Sequence, residues 1–273
     1  MINIVIPSYQ RSDKVVTLDS IPLSYKDNVY LYVRPEEYEL YKHFENRCNI
    51  VQLENCENIG DTRQFIVEHM KNKKIWMLDD DLKIFKAHLN EEVNIIRNEK
   101  LVVNEQQFYD CLTLIENYMD TYYHGHLRLP LFPKGKSYWP ARVNTWGFTN
   151  VFFNLEKLDV KNIDYKHMTL CEDMYVFLSL IDQGYDRVSI AEYQIMGSPP
   201  NAKGGCSTYR TIENHNRALE YIHEKFPLHT IWSDRAYNLN LDGTEPLKAL
   251  KIQVKRSDHI SKYESNSLKE FFI

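Results

Sequence analysis

The sequence predicts an α/β protein built on a mainly parallel, doubly wound central sheet. Two observations carry this. Between residues 2 and 78, short apolar runs alternate with amphipathic stretches, the pattern of strands joined by crossover helices. One of those runs, KIWML at 74–78, ends in three consecutive acids, and the carboxyl ends of parallel strands are where open α/β sheets bind ligands.

INIVI at 2–6 is β-rich and stops at Pro7, which cannot donate to a strand ladder, so a loop is expected at 8–13. The second run, at 29–33, ends at Arg34 and Pro35, and PEEYELYKHFEN then opens with proline and two acids, as a first helical turn does. NIVQL at 49–53 reads as the third strand. IGDTRQFIVEHMKNK reads as a helix with Ile59, Phe65, Ile66 and Met70 on one face. KIWML is the fourth strand.

Beyond the acids, residues 104–122 form an amphipathic helical pattern. HGHLRLPLFPKGKSYWPARVN, rich in proline, glycine, aromatic and basic residues, reads as a long loop over the sheet edge. TWGFTNVFFNLEKL resumes strand character. CEDMYVFLSLIDQGYD is a compact helix closed by Gly184, RVSIAEYQIM a further strand, and residues 211–226 a last helix. Between them lies SPPNAKGGCSTYR, whose paired glycines Gly204 and Gly205 suit the hinge of a closing lid or an ordinary turn. The expected organisation is one domain over 1–230 and a C-terminal extension, 231–273, packed on it.

The chain has 273 residues, 43% hydrophobic and 13% aromatic, with 19 tyrosines, which supports a packed core and argues against disorder. A net charge of −5 excludes a globally basic nucleic-acid binder while leaving room for a local basic groove. Five cysteines without CxxC spacing argue for reduced thiols. The opening MINIVIPSYQRSD enters a strand without the form of a signal peptide, and no apolar run approaches membrane-spanning length. The expectation is a soluble, cytoplasmic chain without a membrane partner.

Asp79, Asp80 and Asp81 need an explanation, because unit charges about 4 Å apart repel by roughly 1 kcal/mol in water and about 4 kcal/mol in a partly buried site. Solvation on an open turn is one remedy. A divalent cation bridging carboxylates to phosphates is the other, and the strand-end position favours it.

INIVIPSYQR, IGDTRQF, WMLDDDL and LCEDMYVFLSLIDQGYD match, in content and order over residues 1–196, the motifs of nucleotide-sugar glycosyltransferases with the Rossmann-like GT-A fold, which the sequence thus resembles. SPPNAKGGCSTYR with the helix after it is similar to phage glycosyltransferases that decorate hydroxymethylated pyrimidines in viral DNA. The resemblance implies transfer of a sugar from a nucleoside diphosphate sugar, a UDP-sugar foremost, to an acceptor hydroxyl in DNA, assisted by Mn²⁺ or Mg²⁺. A polysaccharide or protein acceptor is the alternative, and a non-catalytic nucleotide- or nucleic-acid-binding module is the reading from another class.

Roles follow on the same basis. Asp79 and Asp81 alternate along extended backbone and reach one face. Asp81 is the expected direct metal ligand, and Asp79 the contact to ribose or to a metal-bound water; Asp80 exchanges roles with either if the strand ends early. Pro7, Ser8, Tyr9, Arg11, Arg34, Arg63, Asp79 and Asp80 are the donor-site candidates, the arginines because a guanidinium suits phosphates and stacks on bases. Neighbours on a helix project about 100° apart, so Glu172 and Asp173 face differently. Asp173, on the side of Phe177 and Leu180, is expected at the cleft as general base and Glu172 is expected to face out, with helix capping as the structural alternative. Lys136, Trp139, Arg142, Lys203 and Arg210 are the acceptor-site candidates.

Overall fold

The computed structural model describes residues 1–87, 102–129, 141–197, 205, 209–234 and 246–254. Its centre is a nine-stranded sheet of β1 (Ile2–Pro7), β2 (Val29–Val33), β3 (Asn49–Gln52), β4 (Lys74–Leu78), β5 (Lys83–Lys86), β6 (His124–Arg128), β7 (Ala141–Val143), β8 (Asn150–Asn154) and β9 (Arg187–Met196). The order is β3-β2-β1-β4-β8-β6-β9-β5, with β7 pairing β9 off this path. β3, β2, β1 and β4 pair in parallel. β8 is antiparallel to both β4 and β6, while β9 runs parallel to β6 and antiparallel to β5 and β7. Most strands therefore run one way, and their carboxyl ends share one edge.

The helices are α1 (Tyr38–Tyr41), α2 (Ile59–His69), α3 (Glu105–Thr121), α4 (Glu172–Asp182) and α5 (Ile212–Lys225). Strand alternation divides the core between the two sheet faces. Ile4, Ile6, Trp76 and Leu78 pack towards Phe108, Cys111, Ile115 and Met119 of α3. Val5, Ile75, Met77 and Phe153 pack with residues of α2, α4 and α5, among them Ile66, Val176, Leu180 and Ile222. The result is a helix–sheet–helix sandwich.

Local chemistry sets the helix starts. The Asn58 side chain accepts from the backbone N–H of Asp61, Asn104 forms a capping box with Gln107, and Thr211 accepts from the N–H of Asn214. α4 lacks such a cap; the residue before it, Cys171, has φ +57°. The stretch after Pro35 is less helical than expected, with only Tyr38–Tyr41 forming α-helix between 3-10 turns.

The expected long loop from residue 124 is corrected at both ends. His124–Arg128 is a buried strand, and Ala141–Val143 pairs with β9. β6 is polar in composition, and it survives in the core because its neighbours satisfy it: the Asn150 side chain accepts from the N–H of Leu127 and donates to its carbonyl. Gly125 is required there, since a Cβ would lie 2.2 Å from the Phe152 ring.

Residue 230 falls inside β10 (Thr230–Trp232), which pairs antiparallel with β11 (Leu250–Ile252). Asn216 of α5 holds the approach to β11, donating to the Pro246 carbonyl at 3.0 Å and accepting from the N–H of Lys248 at 2.9 Å. No helix among the described residues is long and apolar enough to cross a membrane.

Candidate active site

The carboxyl edge of β1, β2 and β4 opens into a cleft of about 890 Å³. Pro7, Ser8, Tyr9, Arg11, Arg34, Arg63, Asp79, Asp80 and Asp81 all line it, as do Glu172, Asp173 and Arg210. Residues 72 positions apart meet here: the Ser8 hydroxyl donates to the Asp80 carboxylate at 2.6 Å. Tyr41 braces this loop, sharing a hydrogen bond of 2.9 Å with Ser8 and accepting from the Arg11 N–H at 3.0 Å.

Two guanidiniums answer the acidic triplet. Arg11 pairs with Asp80 and lies 3.0 Å from Asp81. Arg63, delivered by α2 and only 6% exposed, lies 2.8 Å from Asp79 and 3.3 Å from Glu172. Burial alone would lower the pKa of Arg63, but Glu172 and Asp79 raise it well above its ordinary value. Burial pushes Asp79 up to about 7, opposed by Arg63 and reinforced by Asp81, Asp80 and Glu172. With 30% of its side chain open to the cleft, Asp79 keeps contact with solvent, which moderates that push. Burial also raises Asp80, against the pull of Arg11 and the hydrogen bond from Ser8.

The backbone of the triplet is fixed by residues that carried no signal in the sequence. Thr17 donates its backbone N–H to the Asp80 carbonyl at 3.1 Å and its hydroxyl to the Asp79 carbonyl at 2.5 Å, and its hydroxyl oxygen accepts from the Leu82 N–H at 2.9 Å. The Asp79 N–H donates to the Thr149 carbonyl at 3.0 Å. Thr149 adopts φ +70°, costly for a β-branched residue.

On the β2 side, the Arg34 guanidinium sits 4.0 Å over the Tyr9 ring and donates to the Glu57 carbonyl, while the Gly205 N–H donates to the Tyr9 carbonyl at 3.2 Å. Tyr9 is thus stacked and anchored before any ligand arrives.

The face assignment at the start of α4 is corrected. Glu172 does not face out; it is 5% exposed and ion-paired with Arg63, while Asp173 is half-buried, its Oδ1 accepting from the Met174 N–H at 2.8 Å. Apolar neighbours along α4 were a poor guide, because the wall opposite its first turn is a buried arginine. Burial raises the Glu172 pKa, Arg63 opposes this and Asp173 adds to it.

Arg210 lines the cleft, but Arg142 does not: it sits on β7 opposite Ser189. Pairing of β7 with β9 takes it away from the cleft edge. Lys136, Trp139 and Lys203 lie outside the described residues. Trp146, Phe148 and His126, which no sequence motif singled out, also line the cleft, as does His215, a histidine on a helix to which the sequence assigned no ligand role.

The family model of the TET-associated glycosyltransferases matches residues 2–205. Two phage proteins are similar over nearly the whole chain. The beta-glucosyl-HMC-alpha-glucosyl-transferase of Enterobacteria phage T6 is 37% identical over 266 residues, and that of phage T2 is 36% identical over 265; each match covers 94% of this chain and 94% of the relative. Among solved structures, S. aureus TarS residues 1–349 superimposes with a TM-score of 0.48 and 12% identity, over 82% of this chain and 65% of that one. With that family model spanning three quarters of the chain and relatives above one third identity over 94% of it, the chain belongs to the TET-associated glycosyltransferase family and is a glycosyltransferase.

Proposed function

We propose that the chain transfers a hexosyl unit from a nucleoside diphosphate sugar, UDP-sugar foremost, to a hydroxyl of a hydroxymethylcytosine-derived nucleotide in duplex DNA, with a divalent cation. The observation that carries this is the convergence of Ser8, Arg11, Arg63 and the three aspartates in one cleft at the carboxyl edge of β1 and β4. The names of the phage relatives, which specify glucosyl-HMC and glucosyl transfer, supply the acceptor class.

The donor set fits a cation. Burial holds Asp79, Asp80 and Glu172 back from ionising; fully ionised, they and Asp81 would set four negative charges against the two positive charges of Arg11 and Arg63, an excess of two that one divalent ion would offset. Among the described residues no group of three or more His, Cys, Asp or Glu side chains is arranged around a metal position, so Asp79 and Asp81 would share the ion with diphosphate oxygens. Bound there, the ion supplies Lewis-acid neutralisation of the departing diphosphate. Arg34 over Tyr9 offers a platform for the base, and Asp173 stands at the cleft to take the acceptor proton. Arg128, Arg210, Lys248 and Lys251 also line the cleft, supplying positive charge for a polyanionic acceptor despite the net charge of −5.

The test supplies labelled nucleotide sugar and Mn²⁺ with plain, hydroxymethylated or glucosylated duplex, then digests the DNA to nucleosides. Label on a modified cytosine is the expected result, with a rate that falls steeply with salt. Donor hydrolysis with no label on any duplex overturns the DNA acceptor in favour of a glycan or protein.

A further inference from the structure

The cleft has a second half that the carboxylates do not explain. β8 enters the sheet antiparallel beside β4, with Asn150 opposite Leu78, so the segment leading into β8 emerges next to the acidic triplet, on the side away from β1 and β2. That segment, Trp146-Gly147-Phe148-Thr149, lines the cleft throughout. Beside the ion pairs of the acidic triplet it presents an apolar ring: Phe148 is 44% exposed, whereas lining residues such as Leu53, Leu127 and Leu219 are buried.

The ring sits on a locked loop. Asn144, at φ +55°, exchanges hydrogen bonds with the backbone of Arg187, accepting at its side-chain oxygen from the Arg187 N–H at 2.9 Å and donating its own N–H to the carbonyl at 2.7 Å. Gly147 lies against the imidazole of His126, where a Cβ would approach Nε2 to 2.1 Å; His126 is itself held by Ser189 at 3.1 Å. Thr149, at φ +70°, ties the loop to the Asp79 N–H. Behind Phe148, Trp146 is 6.3 Å away and packs on Phe177 at 5.6 Å, with the Arg187 guanidinium 6.0 Å from its ring. Asn144 takes the left-handed conformation readily, but Thr149, β-branched, is strained there, and a loop does not retain such strain without cause. What they hold in place is an exposed phenyl face adjoining the metal-site carboxylates.

We infer that Phe148, backed by Trp146, is the stacking platform for the acceptor ring that bears the attacking hydroxyl, which on the proposed function above is the pyranose of the glucosyl-HMC that the relatives' names specify. The inference rests on the glycosyl-transfer reading above. Order along the edge supports the placement: the base platform of Tyr9 and Arg34 follows β1 and β2, the carboxylates follow β4, and Phe148 precedes β8. A donor laid from the first to the second leaves its sugar facing the third. A pyranose offers an apolar C–H face to an aromatic ring while its hydroxyls stay free for polar groups, here Asp173 and Arg128 at the same cleft.

The test compares wild type, Phe148→Ala and Phe148→Trp on three acceptors: β-glucosylated hydroxymethylcytosine duplex, unglucosylated hydroxymethylcytosine duplex, and a small aryl β-glucoside. On the glucosylated duplex, Phe148→Ala is expected to raise KM about tenfold or more with a smaller change in kcat, and Phe148→Trp to restore it. The thermal shift induced by nucleotide sugar with Mn²⁺ serves as a readout of donor binding and stays at its wild-type value. Wild-type KM in Phe148→Ala overturns the platform, as does an equal loss of the donor-induced shift, which would assign the loop to the donor. Equal use of both duplexes by wild type, with equal losses in Phe148→Ala, overturns the pyranose. If wild type glycosylates the aryl glucoside but no duplex, and Phe148→Ala loses that activity, the DNA reading falls and the platform stands.

Discussion

Arg63 and Glu172 meet at 3.3 Å with both side chains 7% exposed, joining α2 to the first turn of α4. Removing one partner of a buried pair strands the other charge, at a cost of about 3–5 kcal/mol. Arg63→Met strands both Glu172 and Asp79, so a loss of that size is expected in urea unfolding. Glu172→Gln should cost less, and adding it to Arg63→Met should recover part of the loss. A single-variant cost below about 1 kcal/mol would show that the pair does not hold the helices together.

The cation reading makes a binding prediction separable from turnover. Mn²⁺ and a nucleoside diphosphate added together should raise the unfolding midpoint by more than the sum of their separate effects, because each completes the other's site. Asp81→Asn should abolish this synergy while changing the stability of the unliganded protein little, since the repulsion it relieves is set against the lost contact with Arg11, which keeps Asp80. Synergy that survives in Asp81→Asn would remove Asp81 from the metal site.

Asp173 and Glu172 should separate kinetically. Asp173→Asn is expected to lower kcat by about a hundredfold or more, with donor affinity little changed, if its carboxylate takes the acceptor proton. Glu172→Gln should act through Arg63 and Asp79, raising donor KM and lowering stability. Equal kcat losses without any stability change in Glu172→Gln would give the two acids the same role.

The buried histidines should cost stability in mild acid. Burial pushes the pKa of His124 down to about 3 and that of His215 to about 4, aided by Arg187 and Arg210 respectively, and His126 moves the same way. Unfolded histidines titrate near about 6.5. Between that value and about 4 the unfolded chain therefore binds more protons, so stability is full above the unfolded pKa and is lost as pH falls. Each histidine contributes up to about 1.4 kcal/mol per pH unit in that window. Asp79, Asp80 and Glu172, whose pKa values burial raises, oppose this trend in the same window, so the histidine contribution is read from the difference: between pH 7 and 5 the urea midpoint of His215→Gln should fall less, or rise more, than that of wild type. Identical slopes would mean that His215 is solvated in the folded state.

The parallel half of the sheet was legible because its strands are buried on both faces and read as unbroken apolar runs: INIVI, VYLYV and KIWML became β1, β2 and β4. β6 was not, because HGHLR owes its place to hydrogen bonds from Asn150 and close packing on Phe152, partners distant in sequence. In the site, the arginines and aspartates stood out by type and position. Thr17 and Tyr41 did not, since their work is to orient backbone and hydroxyls from loops with no motif. Glu172 was misplaced for a related reason: helical periodicity tells which residues share a face, but whether that face meets leucine or arginine depends on α2.

The strand order also acts as a ruler. Neighbouring strands stand about 4.8 Å apart, so, on the proposed placement of the ligands, the step from β2 to β1 to β4 to β8 would set the distances between base, diphosphate and acceptor in units of that spacing. A group moved to the next strand would land about 5 Å away, well beyond the roughly 3 Å within which an attacking oxygen must approach. Side chains at one station can therefore change without disturbing the others. If Tyr9 and Arg34 take the base and Phe148 the acceptor ring, as proposed, a lineage of such enzymes could exchange the nucleotide or the acceptor as separate inheritable traits, while the point of bond exchange stayed where β4 puts it.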